Sequence, residues 1–442
     1  MNKIFRTINY NYPTLSWSDA KKIKNPFDLR ACHWGQLKLF YSELEFLTLC
    51  SKYFNLKECV IVYIGSAPGT HIEFLKNLFP ELYWILYDPA KFVVKSDKNI
   101  EIHTGKDGFF TNNKVQEVLN NPKIKGKKIL YISDIRTHNE SGRTRVEHEK
   151  DIFDDMVQQQ NWIIMMNADI YMLKFRLPHK YYNPDVSQFQ YELPKQYKDR
   201  IIIKDDEEID KDNKIMYLDG NIFLQISPPS SSTETRLIGL KSDDKFILKY
   251  YDRVKYDNQL QYFNLKDRFE NYYYDESEDL KNYLIGFDNS YDRVCEYFIY
   301  SQYVKYYLKE TDKKERHNKA IKFLYETHHH LSVKAFKNIL SCPIDTISKN
   351  LHKINEFIND IGGKENIIEF KKILLNNYDK LINFIEDQID YFESNRKKIS
   401  NVLNNKQIDY QIQNGQIALN RLKTNIDKIT ERFDSIYLKD KN

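Results

Sequence analysis

A chain of 442 residues with 41% hydrophobic and 14% aromatic side chains has room for two or three domains, since single cores stop growing near roughly 250–300 residues. Lys plus Arg exceed Asp plus Glu by only 67 − 63 = +4, so net charge alone does not mark a nucleic-acid binder, and a groove for a polyanion has to come from local clustering. Five scattered cysteines (Cys32, Cys50, Cys59, Cys295, Cys342) without a CxxC pair argue against a disulfide framework and a zinc knuckle, and they fit a reducing compartment. A mean hydropathy of −0.66 fits a wet surface. No apolar run reaches about 18 residues and the first residues lack an apolar leader core, so the reading expects neither a membrane span nor secretion.

Residues 1–34 are aromatic and polar without a clean period and read as a surface arm. From Gly35 to about Phe54, Leu37, Phe40, Leu44 and Leu47 recur at helical spacing. CVIVYIG then ends an apolar, β-rich run in glycine, and SAPGTHIEFLKNLF turns into a helix, the first unit of a doubly wound sheet. WILYD, IEIHT, KKILYISD, NWIIMMNAD, IFLQIS and TRLIGL are predicted strands, with helical segments NKVQEVLNN and VEHEKDIFDDMVQQQ among them. This alternation predicts an α/β domain over residues 35–265 with a mostly parallel sheet. Residues 266–345 read as a helical extension, with two or three helices from about 290 to 340. After a break at DIGGKEN, residues 346–442 read as a helical tract in which Leu422, Ile426, Ile429, Phe433 and Ile436 alternate in steps of four and three, a coiled-coil seam.

The turn IGSAPGT follows a strand and opens a helix. Gly65 lets the backbone turn and Gly69 leaves no side chain where a ligand must come close. A tight βα turn that binds nothing satisfies the same spacing. Asp88 ends the second strand, where a carboxylate accepts hydrogen bonds from a ribose diol. These two features suit an adenosine-containing cofactor, a dinucleotide included, but the loop lacks the GxGxxG spacing, which favours S-adenosylmethionine.

Four polar residues stand at element ends: Lys38, Asp134 in ISDIR, Lys174 in MLKFR and Glu234 in STETRL. Methyl transfer to a ribose hydroxyl needs a base, and a lysine with an ordinary pKa of about 10.4 is protonated and useless as one. Burial beside a second cation, with carboxylates orienting it, brings a lysine into range. Lys174 is the expected base, Lys38 the neighbouring cation, and Asp134 and Glu234 the orienting acids. Two ordinary ion pairs would use the same four residue types. The run His328 to His330 has no companion carboxylate or cysteine at metal spacing and reads as a helix end, not a metal site.

GQLKL, VYIGSAPGTHI, ISDIR, LKFR and the Glu-x-Arg-Leu of ETRL, in this order and at these intervals, resemble the poxvirus cap-specific mRNA 2'-O-methyltransferases, which double as the regulatory subunit of the viral poly(A) polymerase. The resemblance runs from about residue 10 to 331 and leaves the final stretch without a counterpart. It implies a Rossmann-like S-adenosylmethionine-dependent methyltransferase domain followed by the helical region, with Lys38, Asp134, Lys174 and Glu234 as a catalytic tetrad. It further implies cofactor contacts at Gln36, Gly65, Ala67, Gly69, Asp88 and Asp134, and a departure at Ala90, where the family carries arginine.

Cap recognition in the family stacks 7-methylguanine between two aromatic rings and sets acids at its edge. Tyr12 is the matching first ring; Tyr182, with His179 and Tyr181 as substitutes, is the second; Asp185 and Asp257 match the acids. Arg136, Arg143, Arg145 and Arg176 are candidates for the RNA path. The implied partners are capped mRNA and a poly(A) polymerase catalytic subunit, with self-association through the C-terminal seam. A non-catalytic RNA-binding subunit of that polymerase is the competing reading, and a DNA or ribosomal RNA methyltransferase is a third. The Lys, Asn, Ile and Tyr bias together with the resemblance points to a large cytoplasmic DNA virus, and so to the host cytoplasm or the virion.

Overall fold

The computed structural model describes residues 2–23, 35–137, 144–180, 182, 193–204, 209–229, 232–274, 290–330 and 364–439. In chain order these form β1 (Asn2–Lys3), β2 (Thr7–Ile8), α1 (Trp17–Ile23), α2 (Gly35–Tyr53), β3 (Cys59–Ile64), α3 (Ile72–Leu78), β4 (Tyr83–Tyr87), β5 (Ile100–His103), α4 (Asn112–Asn120), β6 (Lys128–Ser133), α5 (Arg145–Met166) and β7 (Ile170–Phe175). There follow β8 (Ile201–Lys204), β9 (Lys214–Leu218), β10 (Asn221–Phe223), β11 (Thr235–Leu240), β12 (Phe246–Asp252), α6 (Arg253–Leu265), β13 (Tyr272–Tyr273), α7 (Tyr291–Tyr306), α8 (Lys313–His330), α9 (Lys364–Ser394) and α10 (Asn405–Lys439), with short helical turns such as Arg396–Ile399 between some of them.

The run CVIVYI is apolar without alternation because β3 is buried on both faces along its whole length. It sits inside an eight-stranded sheet of order β2-β10-β11-β7-β6-β3-β4-β5, in which β7, β6, β3, β4 and β5 are parallel and β11, β10 and β2 close one side antiparallel. The chain winds outward from β3 to β5 and then crosses back to β6. The strand order therefore reverses between β3 and β6, the place where open α/β sheets make a cleft at their carboxyl ends. The result is a mixed α/β fold with a large, parallel-rich sheet, consistent with a Rossmann-like methyltransferase.

Three sequence expectations are corrected. NWIIMMNAD is not a strand: Trp162 to Met166 form the last turns of α5, and Asn167 ends that helix at φ 53°. The segment reads as a strand because the helix end is buried all round, so no polar face breaks the apolar run. IFLQIS pairs only at its start, within β10. The arm is more than a covering: β2 is the edge strand of the main sheet, Arg6 forms a bidentate pair with Glu45 of α2, and α1 packs on α6. A small sheet of order β8-β12-β9, absent from the predicted strands, stands beside the main one.

The helices after residue 290 share the main core. Tyr303 donates to the Leu78 carbonyl and Tyr307 to Glu81. The long helices α9 and α10 pack on each other as an antiparallel hairpin, laced by Lys371–Asp434, Lys423–Glu386 and Arg396–Asp409. Of the seam, Leu422 is buried and Ile426 partly so, inside this hairpin; Ile429, Phe433 and Ile436 lie on α10, with side chains outside the described residues. No helix among the described residues is long and apolar enough to cross a membrane, and no group of His, Cys, Asp or Glu there is arranged to hold a metal.

Candidate active site

Sheet register brings the four expected residues to one place. Ile64 pairs with Ser133 and Ser133 with Leu173, so Asp134, just past β6, and Lys174, next to last in β7, meet at the carboxyl ends of neighbouring strands. β11 runs antiparallel to β7 with Arg236 opposite Lys174, which puts Glu234, just ahead of β11, at the same end. Lys38 reaches the group from the first turn of α2. Its Nζ lies 2.7 Å from Glu234 Oε1, whereas Lys174 Nζ lies 3.4 Å from both Asp134 Oδ1 and Glu234 Oε2. The difference matters because Lys38 is hydrogen-bonded and Lys174 is held at a looser distance from two acids.

A third cation completes the cluster. Arg236 is 2% exposed, its Nη1 lies 2.7 Å from Asp134 Oδ1, and its Nη2 is 3.9 Å from Glu234 Oε1. Burial alone would push the Asp134 carboxyl up, but Arg236, Lys174 and Lys38 outweigh it and hold it below its ordinary value. Glu234 is held well below by Lys174, Lys38 and Arg236 against the same burial. Burial pushes the Lys38 ammonium down, Glu234 works against this, and Arg236 adds to it. The Arg136 guanidinium stands 3.9 Å from Glu234 Oε2 at the rim.

The glycine turn lies alongside. Gly65 and Gly69 hold φ of 77° and 69°. A Cβ on Gly65 would come 2.8 Å from the Ile135 nitrogen, so this glycine lets the turn press against the backbone leaving β6. A Cβ on Gly69 would meet Val94 at 2.9 Å, so the space cleared there is filled by the chain itself. Asp88 fastens the turn, accepting from the Ala67 amide at 3.0 Å and the Ala90 amide at 2.8 Å. Gln36 reaches over from α2 to take the Thr70 hydroxyl at 2.5 Å. Two carboxylates and a primary amide around a turn at the switch point suit a ligand that carries a diol and a cationic centre.

The cap candidates separate. Asp257 is buried on α6 and its Oδ2 pairs with His179 Nδ1 at 2.5 Å, while its buried Oδ1 has no hydrogen-bond partner among the described residues. Trp17, 42% exposed on α1, sets its ring edge-on to His179 at 5.9 Å. Tyr12 is engaged elsewhere, donating to Asp267 and meeting Tyr262 edge-on at 6.2 Å. Tyr182 lies tilted against Phe153 at 6.1 Å. Tyr181, Asp185 and Arg143 lie outside the described residues. Arg176 is turned inward, bonded to buried Glu149 at 2.7 Å and to Thr233 at 3.2 Å, whereas Arg145 is exposed in the first turn of α5.

Sequence reasoning missed three contributors. Arg236 was in view within ETRL, where strand alternation puts it on the same face as Glu234. Trp17 lay in an arm with no period to orient it. His71, inside VYIGSAPGTHI, is buried against Glu43 of α2, and no sequence spacing announces that pairing.

A fowlpox virus (strain NVSL) cap-specific mRNA (nucleoside-2'-O-)-methyltransferase is 32% identical over 251 residues, 53% of this chain and 68% of that relative. Proteins of the same name from myxoma virus, strains Lausanne and Uriarra, are each 26% identical over 242 residues, 52% of this chain and 61% of each relative. The model of the poly A polymerase regulatory subunit family matches residues 17–333, and the chain belongs to that family.

Proposed function

We propose that this chain transfers a methyl group from S-adenosylmethionine to the ribose 2'-hydroxyl of the first transcribed nucleotide of capped messenger RNA. The observation that carries the reading is Lys174 standing 3.4 Å from each of two carboxylates, beside Lys38 and Arg236, at the carboxyl ends of the parallel strands. Asp88, Asp134, Gln36 and the backbone from Gly65 through Ala67 to Gly69 would hold the cofactor. When bound, S-adenosylmethionine supplies an electrophilic methyl on a sulfonium.

Asp134 and Glu234 keep Lys174 Nζ aimed at one point, and its loose contacts leave the amine, in its neutral form, able to turn to a substrate hydroxyl and receive that proton as the methyl leaves the sulfonium. Lys38, tied to Glu234, fixes that carboxylate and adds positive charge where the ribose oxygen becomes negative. Trp17, His179 and Asp257 would receive the cap, an aromatic face and an acid edge for a cationic base. Arg136 and Arg145 would meet RNA phosphates.

The test supplies labelled S-adenosylmethionine with capped and uncapped short RNA and locates the transferred methyl. Label on the first 2'-oxygen of capped RNA is expected, and label on a base or none would reject the reading. The family description favours a second role as a poly(A) polymerase regulatory subunit. It is checked by adding the chain to a poxvirus catalytic subunit and following tail length. The hairpin of α9 and α10 is read as a coiled coil closed within one chain. Light scattering of the whole chain and of a form ending near residue 345 compares this with self-association.

A further inference from the structure

The ladder between β11 and β7 ends at Thr235 opposite Phe175, one residue short of Glu234. Sheet pairing therefore fixes this acid from one side only, and the segment ahead of it has to be held by side chains. Tyr256 of α6, 3% exposed, reaches that segment, its phenol oxygen lying 2.6 Å from the Thr233 carbonyl. The same oxygen is 3.0 Å from the Thr235 hydroxyl and 3.3 Å from the carbonyl of Phe175, the residue after Lys174. One buried hydroxyl thus touches both chain neighbours of Glu234 and one of Lys174.

A phenol carries one proton, and the Thr233 carbonyl, the shortest of these contacts, takes it. Burial pushes the phenol up, against the pull of the Thr235 hydrogen bond, so the proton stays in place at neutral pH. The Thr235 hydroxyl is then the donor, to the phenol oxygen at 3.0 Å or to the Phe175 carbonyl at 3.3 Å, and either choice keeps the two strand ends and α6 in one network. The ring meets Phe175 edge-on at 5.4 Å, and Asp252 caps α6 by accepting from the Val254 and Lys255 amides, so the hydroxyl comes from a fixed helix.

The contact most exposed to a loss of this brace is the longer one in the tetrad. Glu234 Oε1 is hydrogen-bonded to Lys38 at 2.7 Å, whereas Oε2 stands 3.4 Å from Lys174, already at the limit of a hydrogen bond. A backbone shift at Thr233 would open the second contact first. We propose that Tyr256 is a positioning residue for methyl transfer, its hydroxyl holding Thr233 and so fixing the Glu234 carboxylate at its working distance from Lys174. This rests on the methyltransferase reading and adds to it a residue that acts from behind the tetrad, through Glu234.

Tyr251 offers an internal comparison. It is likewise buried, packs on the same Phe175 ring at 5.3 Å, and donates its phenol at 2.8 Å to the Leu218 carbonyl of β9. The experiment compares Tyr256→Phe with Tyr251→Phe in the full chain, each keeping the ring and removing one buried hydroxyl. Single-turnover transfer at saturating labelled S-adenosylmethionine and capped RNA should fall about ten- to hundredfold in Tyr256→Phe and stay at the wild-type rate in Tyr251→Phe. Affinities for S-adenosylhomocysteine and for a methylated cap analogue should be unchanged in both, the second measured because Asp257 adjoins Tyr256 on α6. Urea midpoints should drop alike, since each variant leaves one carbonyl short of a donor. Thr235→Val, which removes the hydroxyl between the strand ends, should lower the same rate by a smaller factor; it decides the matter if Tyr256→Phe does not fold, and a wild-type rate there overturns the proposal. A wild-type rate in Tyr256→Phe, an equal fall in Tyr251→Phe, or a fall matched by lost ligand affinity also overturns it, while the methyltransferase reading survives. A wild-type chain that transfers no methyl to capped RNA overturns both.

Discussion

Arg236 and Lys174 stand directly opposite each other across β11 and β7, two cations on paired backbone positions. Like charges so placed repel, and this pair is tolerated because Asp134 and Glu234 lie between and beside them. Arg236 is nearly inaccessible, so its charge exists to balance those acids. Arg236→Met leaves two buried carboxylates short of a cation and should destabilise the chain by about 3–5 kcal/mol. Arg236→Lys, which keeps the charge without the planar fork, should cost less. Denaturant midpoints at constant m-value measure both, and a methionine variant as stable as wild type would contradict this account.

Lys174 differs from Arg236 in what it is free to do. Its amine sits 3.4 Å from each acid, while the guanidinium is pinned at 2.7 Å to Asp134. Lys174→Met should lower methyl transfer by about 10²–10⁴-fold. S-adenosylhomocysteine binding should be retained, since the Asp88 and Gln36 contacts to the turn do not involve this lysine. Lys174→Arg should not restore turnover, because a guanidinium does not give up its proton in the working range. Single-turnover assays with labelled cofactor separate these outcomes, and an active arginine variant would exclude Lys174 as the base.

The acids also set a pH dependence of stability. Asp134 and Glu234 bind protons less readily in the folded chain than in the unfolded one, because Arg236, Lys174 and Lys38 outweigh their burial. The unfolded chain therefore takes up protons first. The stabilisation is complete above the ordinary carboxylate range of about 4 and is lost as pH falls through the lower folded values. Lys38 contributes with the opposite sign at the other end: its lowered value makes the charged amine a cost that fades as pH rises through that lowered value and is gone above the ordinary lysine range. Urea midpoints followed through the acid limb should fall less steeply in Asp134→Asn than in wild type. Parallel curves would show that Asp134 titrates as if exposed.

The parts of this site that could be read in the sequence were those with a local signature. A strand, a glycine turn and a helix share one contiguous segment, so IGSAPGT placed itself, and Asp134, Lys174 and Glu234 stood at ends of apolar runs. What brings them together is register between β6, β7 and β11, a non-local fact supplied beforehand only by resemblance. The run Trp162 to Met166 misled because a helix buried on all sides shows the same unbroken apolar text as a buried strand. Trp17 and His71 stayed hidden for a related reason. Their partners, His179 and Glu43, lie far away in the chain, and neither pair has a spacing to find.

Asp257 gives the most direct test of the proposed cap site. Burial pushes its carboxyl up, while the His179 hydrogen bond pulls the other way, and its Oδ1 is left buried without a donor among the described residues. The N1 and N2 protons of a 7-methylguanine would satisfy that oxygen and favour the ionised carboxylate, so cap affinity should be greatest where Asp257 is ionised. As pH falls the raised value is met before the ordinary one, so cap-analogue affinity should begin to drop above the usual aspartate range of about 4. Asp257→Asn should bind weakly and without this slope. Trp17→Ala should cost about 1–3 kcal/mol of stacking at every pH. Fluorescence titration of a methylated cap analogue through about pH 4 to 7 distinguishes the two, because the acid changes the slope and the ring only the height. A wild-type affinity that is flat across that range, or a Trp17→Ala chain that binds the analogue as wild type does, would move the cap away from the Trp17, His179 and Asp257 cluster.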